Sequence, residues 1–308
     1  MLNRLIVFLA AVCVWCMPTG AAVNAQADSL KTKIDKEAAN EDFIHVYWLQ
    51  ITPGRNFYSV YGHNALRLVC PSKNLDYCTT FEMDMESSHY ADILTRNARA
   101  GYIMVPTSRF FDSYRKEGRG IKAYELNLGT KEKQKLWKFV DGQMAKGSTW
   151  TFDYTEVNCT SMTFYAINSA IEPSRMKFTR MPPVVYGDLT DWMDYVSAKS
   201  PWVGLLMRAT LRNVDESQVK PENLLNPEMA MSVLPYVTVT DSTGRTVPLV
   251  KGKIVELIPT VYTDEPCWFT PAKALATAAG LLAAVIALAI YTRQRKHKSI
   301  HLKKVYKK

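Results

Sequence analysis

The spacing of hydrophobic residues changes several times along this chain, and each spacing predicts a different element. Residues 42–52 alternate apolar and polar positions as a half-buried strand does, and further strands are predicted over residues 65–70, 77–83, 101–106 and 120–128. Helices are predicted over residues 90–98, 108–117, 130–145, 188–197, 202–212 and 227–234, and a hairpin around residues 241–245. The mixture predicts an α+β fold.

Two continuous apolar runs stand apart from this pattern, one near each end of the sequence. Residues 1–25 combine a single Arg4 with an apolar run and small residues at its end, which is typical of a secretory signal peptide. The run over residues 272–291 is long enough, as a helix, to span roughly 30 Å of membrane hydrocarbon. We therefore expect a signal peptide over 1–25, an external part from residue 28 to residue 270 and a transmembrane helix over 271–291.

The distribution of charge supports this topology. Basic residues without a single acid fill the tail 292–308, so the tail is expected in the cytoplasm. This tail and Arg4 account for the formal net charge of +9, which leaves the external part close to neutral. The basic excess points to membrane topology and anionic lipid headgroups, not to nucleic acid. The expected location is a single pass in the inner membrane, with the external part in the periplasm.

Cys159 is the residue whose setting most suggests chemistry. Asn158 is a preferred helix N-cap and apolar residues at helical spacing follow, so Cys159 is predicted on the first turn of a helix. There the helix dipole and the unpaired backbone N–H groups favour the thiolate, which is the nucleophilic form of cysteine. His63 supplies an imidazole, and a thiol with an imidazole is the minimum equipment for covalent acyl transfer. A buried structural cysteine is the alternative.

The remaining cysteines and histidines of the external part are few. Cys70 and Cys78 flank a turn-rich stretch between two strand-like runs, so we predict a disulfide between them across a hairpin. Cys159 is then unpaired, and Cys267 lies beside the membrane. His45 and His89 are interpreted as surface or core residues. So few thiols and imidazoles do not support a zinc site, and no metal or other cofactor is expected.

Several short motifs occur in a fixed order along residues 42–172. They are Ile51-Thr52-Pro53-Gly54, Tyr61-Gly62-His63 with Leu66-Arg67, Arg99-Ala100-Gly101-Tyr102, Gly118-Arg119-Gly120-Ile121, Leu126-Asn127-Leu128 and Asn158-Cys159. In order and spacing they resemble the Lnb N-terminal periplasmic domain family. The usual family pattern differs at Val157, where Asp is common, and at Met162, where Arg is common.

The resemblance implies a circularly permuted papain-like fold, as in NlpC-like and lecithin:retinol acyltransferase-like enzymes. It places a Cys-His core domain over residues 28–172, followed by a helical and hairpin part over residues 173–270. It also implies that Cys159 is the nucleophile and His63 the general base of a lipoprotein N-acyltransferase. Such an enzyme moves an acyl chain from a phospholipid donor to the N-terminal amine of a diacylated lipoprotein acceptor.

Other residues are candidates for supporting roles. Asn158 is a candidate oxyanion donor, with a plain helix cap as the alternative. Glu82, with Thr80 as second choice, is the candidate for orienting the imidazole. Arg67 lies an even number of residues from His63 on one strand, so it is a candidate for binding a phosphate or carboxylate, with a structural salt bridge as the alternative.

Three function classes stay open on the sequence. The leading one is an acyltransferase at the outer leaflet of the inner membrane, with residues 202–207 as a candidate apolar surface for acyl chains or, alternatively, a core helix. The second is a cysteine hydrolase, either a peptidoglycan amidase or peptidase or a phospholipase, because the same Cys-His pair serves hydrolysis when water replaces the amine. The third is a non-catalytic, membrane-anchored binding protein.

Overall fold

The structure is a computed structural model of the 308-residue chain. It describes residues 44–54, 59–84, 86, 88–172, 175–179, 190–191, 193–194, 198, 200–215, 226–240, 244–261 and 267–305. The chain divides into two compact units, the first formed by residues 1–54, 61–185 and 225–262 and the second by residues 55–60, 186–224 and 263–308. The signal peptide predicted over residues 1–25 lies outside the described residues, as does much of the helix predicted over 188–197.

The described elements confirm an α+β fold. The strands are β1 (His45–Ile51), β2 (His63–Cys70), β3 (Leu75–Met83), β4 (Arg99–Pro106), β5 (Ile121–Leu126), β6 (Trp150–Thr151), β7 (Met176–Phe178), β8 (Val237–Thr240), β9 (Thr246–Pro248) and β10 (Val250–Ile258). The helices are α1 (Tyr90–Leu94), α2 (Thr107–Lys116), α3 (Thr130–Ala145), α4 (Cys159–Ala170), α5 (Pro201–Leu211), α6 (Pro227–Val233) and α7 (Pro271–Val305), with short 3₁₀ turns at Pro71–Lys73 and Leu234–Tyr236.

A seven-stranded antiparallel sheet forms the centre of the first unit. Its strand order is β10-β5-β1-β2-β3-β4-β6. The strands β1 to β5 correspond to the five predicted strands, and the pairs that they form with one another are all antiparallel. Because side chains alternate between the faces of a strand, the ladder pairs fix which residues share a face.

Helices cover both faces of this sheet. On one face, Phe164 of α4 packs against Trp48 at 4.7 Å between ring centroids, and Phe139 of α3 packs against Tyr102 at 5.7 Å. On the other face, Phe110 of α2 packs into a buried apolar cluster. That cluster also contains Leu49, Ile51, Ala65, Cys78, Ile121, Ala123 and Ile258.

Helix α1 and strand β10 depart from the pattern-based prediction, and the short strands β6 and β7 were also not predicted. Helix α1 ends at Leu94 and not at residue 98, because Arg96 takes a left-handed conformation (φ 59°) and the chain from Arg99 onward pairs with β3. Strand β10 was not predicted, since it is mostly exposed at the sheet edge and lacks a buried alternation. It pairs with β5, so the part from residue 173 onward contributes a strand to the core sheet.

A second, three-stranded sheet has the order β7-β8-β9. Strands β8 and β9 pair antiparallel, with Thr240 opposite Thr246. This pairing confirms the predicted hairpin, although residues 241–243 of its turn lie outside the described residues.

The second unit contains α5 and the long helix α7. Within α7, the stretch Pro271–Lys296 has a mean hydropathy of 2.2 and is long and apolar enough to cross a membrane. It includes the predicted transmembrane segment 271–291, and the helix continues through the basic residues to Val305. Just before it, the backbone carbonyl of Phe269 accepts a hydrogen bond from the indole N–H of Trp202 on α5, at 2.7 Å.

Candidate active site

His63 is the first residue of β2, and the turn before it determines its position. Gly62 has a φ of +78°, and a Cβ there would lie 2.7 Å from the carbonyl oxygen of Ile51, so the turn requires glycine. The ladder pairs His63 with Ile51 and, two residues along, Ala65 with Thr80. His63 therefore lies at the end of its strand, on the face that it shares with Thr80.

Cys159 is the first residue of α4, as predicted. The Asn158 side-chain oxygen accepts hydrogen bonds from the backbone N–H groups of Thr160 (2.9 Å) and Ser161 (3.0 Å), while its amide nitrogen donates to the Tyr154 carbonyl oxygen (3.0 Å). The side chain thus caps the helix, which supports the helix-cap alternative for Asn158. The backbone N–H of Cys159 itself remains the candidate oxyanion donor, since a helix leaves its first N–H groups without an intrahelical partner.

The fold brings His63 and Cys159 into direct interaction. Burial alone would lower the pKa of His63, but attraction to the Cys159 sulfur, a hydrogen bond with it and the charge of Glu82 raise that pKa from 6.5 to about 9. Burial would raise the pKa of Cys159, yet the charge of His63 and hydrogen bonds from His63, the Asn64 backbone and Thr160 lower it. These opposite shifts favour the thiolate–imidazolium pair over the neutral thiol and imidazole. A nucleophile in this state requires no prior deprotonation.

Two residues lie on the other side of the imidazole, and Thr80 is closer to it than Glu82. Thr80 Oγ1 lies 2.5 Å from His63 Nε2, whereas Glu82 Oε1 lies 3.6 Å away, which is ion-pair range rather than hydrogen-bond range. Thr80 is buried, while the Glu82 side chain is 38% exposed. The sequence placed these two candidates in the opposite order.

Two polar residues near the pair were not singled out by sequence reasoning. Asn64 and Thr160 are buried and joined by a hydrogen bond of 2.9 Å from Asn64 Nδ2 to Thr160 Oγ1. Trp48 Nε1 donates to Asn64 Oδ1 at 3.1 Å. A signal for Asn64 existed in the sequence, because it occupies the same strand face as Leu66 and Leu68, where an apolar residue is expected.

Arg67 is engaged by a carboxylate of the protein. Its Nε and Nη2 donate to the two carboxylate oxygens of Asp76 at 2.8 and 2.6 Å, and its guanidinium carbon lies within 6 Å of the ring centroids of Tyr47 (5.8 Å) and Phe111 (5.4 Å). The fork that would bind a phosphate is thus already occupied. The structure supports the salt-bridge alternative for Arg67.

The predicted disulfide between Cys70 and Cys78 is wrong in this structure, where both thiols are free. The register pairs Cys78 with Arg67 and Cys70 with Leu75. Cys70 is therefore three positions from the residue opposite Cys78, and an odd offset puts the two side chains on opposite faces of the sheet. Cys78 instead contacts Thr107 Oγ1 at 3.4 Å, and burial raises the pKa of its thiol to about 12.

Tyr114 and Arg119 support the same end of the sheet. The Arg119 guanidinium lies 4.7 Å from the centroid of the Tyr114 ring, and its Nε donates to the Thr52 carbonyl oxygen at 2.7 Å. Burial raises the pKa of Tyr114, and Glu82 and Cys159 are close enough to act on it in the same direction. The Gly118-Arg119-Gly120 and Thr52-Pro53-Gly54 motifs thus meet beside His63, which gives their spacing a structural reason.

The other two histidines of the external part, His45 and His89, have separate environments. His45 Nδ1 lies 3.2 Å from Glu125 Oε1, and His89 is the N-cap of α1. Across the residues that the structure describes, no group of three or more His, Cys, Asp or Glu side chains is arranged to hold a metal ion.

Comparison with known proteins gives one match. A search of curated proteins and a search of solved structures each found no match. Residues 31–192 match the family described as the Lnb N-terminal periplasmic domain, and this range contains β1 to β7 with His63, Thr80 and Cys159. The match spans more than half of the sequence and includes the motifs that meet at the site. The chain belongs to the Lnb N-terminal periplasmic domain family.

Proposed function

We propose that this protein is a membrane-anchored thiol acyltransferase that completes the acylation of lipoproteins. The observation that carries the proposal is the interaction of Cys159 with His63, in which the pKa of the thiol is lowered and that of the imidazole is raised. Family membership supports a periplasmic protein of lipoprotein processing. The phospholipid donor and the diacylated lipoprotein acceptor are parts of the proposal.

In the first half-reaction, the Cys159 thiolate attacks the carbonyl carbon of a phospholipid ester. The tetrahedral oxyanion forms beside the N-terminus of α4, where the Cys159 backbone N–H is available to stabilise it. When the C–O bond breaks, the leaving lysophospholipid oxygen takes a proton from the His63 imidazolium. The products are an acyl thioester on Cys159, a lysophospholipid and a neutral imidazole.

In the second half-reaction, the amine of the lipoprotein attacks the thioester carbonyl carbon. His63, now neutral, accepts a proton from the amine, and the C–S bond breaks. An amide forms on the acceptor, and the thiolate and imidazolium are restored. When the amine enters in its neutral form, His63 gives up one proton in the first half-reaction and takes up one in the second, so the cycle balances.

The proposal includes a permuted papain-like architecture. In that arrangement a cysteine at a helix N-terminus meets a histidine on a neighbouring strand, and a polar residue on the next strand contacts the far ring nitrogen. Cys159 on α4, His63 on β2 and Thr80 on β3 have this relationship. Because the histidine precedes the cysteine in the sequence, the order is the permuted one.

The second unit supports a substrate in the membrane. Trp202 and Leu205 on α5 are 44% and 49% exposed, and Trp268, just before α7, is 79% exposed. Trp202 is also hydrogen-bonded to the chain immediately before the apolar stretch. Large exposed apolar side chains beside a membrane-spanning helix are suited to the bilayer interface, where phospholipid and lipoprotein are concentrated.

The decisive experiment is mass spectrometry of a diacylated lipoprotein incubated with phospholipid vesicles and the purified full-length protein. We expect the lipoprotein to gain the mass of one acyl chain and the peptide containing Cys159 to carry an acyl thioester when the acceptor is omitted. Cys159→Ser should abolish both signals. Cys267→Ser is the matched control, since it removes an exposed thiol outside the site and should leave both unchanged.

Other outcomes identify the alternative functions. Release of free fatty acid without a gain in lipoprotein mass would indicate a phospholipase, and cleavage of peptidoglycan peptides by the wild type alone would indicate an amidase or peptidase. Retention of full acyl transfer by Cys159→Ser would contradict the covalent mechanism. Binding of lipoprotein with no reaction in any of these assays would indicate a binding protein.

A further inference from the structure

Asn64 connects the two halves of the site. It follows His63 in the sequence, yet its side chain projects to the opposite face of the sheet and is fully buried. A buried amide needs hydrogen-bond partners, and here each partner belongs to a different element: Trp48 of β1, Thr160 of α4 and, through the backbone, Thr80 of β3. One residue thus links three elements around the Cys159–His63 pair.

The chemistry of these partners determines the direction of every hydrogen bond. The indole N–H of Trp48 can only donate, so the atom facing it must be the oxygen of the Asn64 amide. The amide nitrogen then faces Thr160 and donates to its hydroxyl oxygen at 2.9 Å. Since that oxygen is the acceptor, the Thr160 hydroxyl hydrogen is left to donate elsewhere, and the Cys159 sulfur is the acceptor that it reaches.

The backbone of Asn64 acts on both reacting groups. Its N–H donates to the Cys159 sulfur. Its carbonyl oxygen can only accept a hydrogen bond, so the Thr80 hydroxyl, 3.1 Å away, donates its single hydrogen to that oxygen. Thr80 must therefore accept its second hydrogen bond from His63 Nε2–H at 2.5 Å. With the hydrogen fixed on Nε2, Nδ1 is the ring nitrogen that exchanges a proton with Cys159 and the substrates.

We propose that Asn64 is the positioning residue of the site: its side chain turns the Thr160 hydroxyl toward the Cys159 sulfur, and its backbone holds the Thr80 hydroxyl that receives the His63 Nε2 hydrogen. Asn64 touches neither substrate nor leaving group in this role. This positioning role rests on the proposed function, in which Cys159 is the nucleophile. It explains why a polar residue occupies an otherwise apolar strand face.

The test measures the thiolate directly, independently of acyl transfer. The rate at which iodoacetamide alkylates Cys159 in the full-length protein is followed against pH by mass spectrometry of the peptide containing it. Thr160→Val removes the hydroxyl and keeps the shape, and it should raise the midpoint of this profile by about one pH unit, a tenfold loss of thiolate below the midpoint. Thr160→Ser restores the donor and should keep the wild-type midpoint.

Asn64→Asp tests the same Asn64–Thr160 hydrogen bond by changing the Asn64 partner. A carboxylate accepts from both Trp48 and Thr160, so the Thr160 hydroxyl should turn away from the sulfur and the midpoint should rise. The added charge also raises it, and the Thr160→Val background separates the two effects. Asn64→Asp should raise the midpoint less in that background, because no hydroxyl remains to be redirected.

The outcomes are separable. The proposal is overturned if folded wild type, Thr160→Val and Thr160→Ser all have the same alkylation midpoint, or if both Thr160 variants shift that midpoint equally. It is also overturned if Asn64→Asp raises the midpoint in the Thr160→Val background as much as it does in the wild type. If Thr160→Val does not fold, Thr160→Ala with the same Ser comparison replaces it. If the variants separate as expected while the wild type transfers no acyl chain, the positioning role stands and only the acyltransferase proposal fails.

Discussion

Thr80 Oγ1 lies 2.5 Å from His63 Nε2 and is the closest side-chain contact of that nitrogen, with Glu82 Oε1 at 3.6 Å. A neutral hydroxyl fixes the imidazole by hydrogen-bond geometry, while the carboxylate beyond it adds charge. The two contributions differ in kind, so substitutions of the two residues should affect the protein differently.

We expect Thr80→Val to reduce acyl transfer by about ten- to a hundredfold, the scale seen when an outer-shell partner that orients a functional histidine is lost. Thr80→Ser should retain most of the activity because it keeps the hydroxyl. Glu82→Gln should cost less than Thr80→Val, since it removes a charge but leaves the short contact in place. Steady-state rates of the four proteins check this order, and an inactive Glu82→Gln beside an active Thr80→Val would reverse the assignment.

Acyl transfer should fall as the pH rises through about 9. The His63 pKa is raised to about 9, so the imidazolium that protonates the leaving oxygen persists up to that pH and is lost above it. Since the Cys159 pKa is lowered, the thiolate persists at pH values below those at which an ordinary thiol ionises. The acidic limb of the rate profile should therefore lie below the pKa of an ordinary thiol. A pH–rate profile of the wild type measures both limbs; His45→Gln is the matched control and should leave them unchanged.

Arg67→Met should change stability rather than activity. It removes the paired hydrogen bonds to Asp76, and because the Asp76 side chain is 39% exposed, we expect a loss of about 1–2 kcal/mol in the free energy of unfolding. The rate per folded molecule should stay near that of the wild type. Urea unfolding and the acyl-transfer assay check the two parts, and a selective rise in the KM for phospholipid would restore the substrate-binding role.

Cys70 and Cys78 should remain thiols in the folded, oxidised protein. Their side chains lie on opposite sheet faces, and both are buried, so we expect neither to react with maleimide before unfolding and both to react afterwards. The intact mass should show no loss of two hydrogens. A Cys70–Cys78 linked peptide in a non-reducing digest would contradict the strand register.

Leu205 should contact the bilayer interface. We expect an environment-sensitive fluorophore on Leu205→Cys, in a protein with Cys159→Ala and Cys267→Ser, to emit as in an apolar medium when the full chain is in vesicles. Lipids with a shallow spin label should quench this emission, and the same labelled protein in vesicles without spin label is the control. A water-like, unquenched emission would instead make α5 a helix without membrane contact.

Local patterns in the sequence were sufficient for much of the fold. Alternation identified strands β1 to β5, and the pairing of Asn158 with a following apolar period located the start of α4 at Cys159. Apolar length identified the stretch of α7 that is long and apolar enough to cross a membrane. These features depend on backbone periodicity and capping, which act over a few residues and are visible in any linear sequence. Strand β10 could not be predicted from the sequence pattern, because it forms by pairing with β5 and not by burying alternate side chains.

The sequence by itself determined that a cysteine begins a helix and that a histidine begins a strand. Only the tertiary structure decided that they meet, that Thr80 lies closer to the imidazole than Glu82, and that Asn64 joins both sides. The tertiary structure also decided that Cys70 and Cys78 are not bonded to each other. A disulfide between them depends on the strand register, which their spacing in the sequence does not specify. Strand register and hydrogen-bond direction arise from partners far apart in the chain, and for that reason no local pattern encodes them.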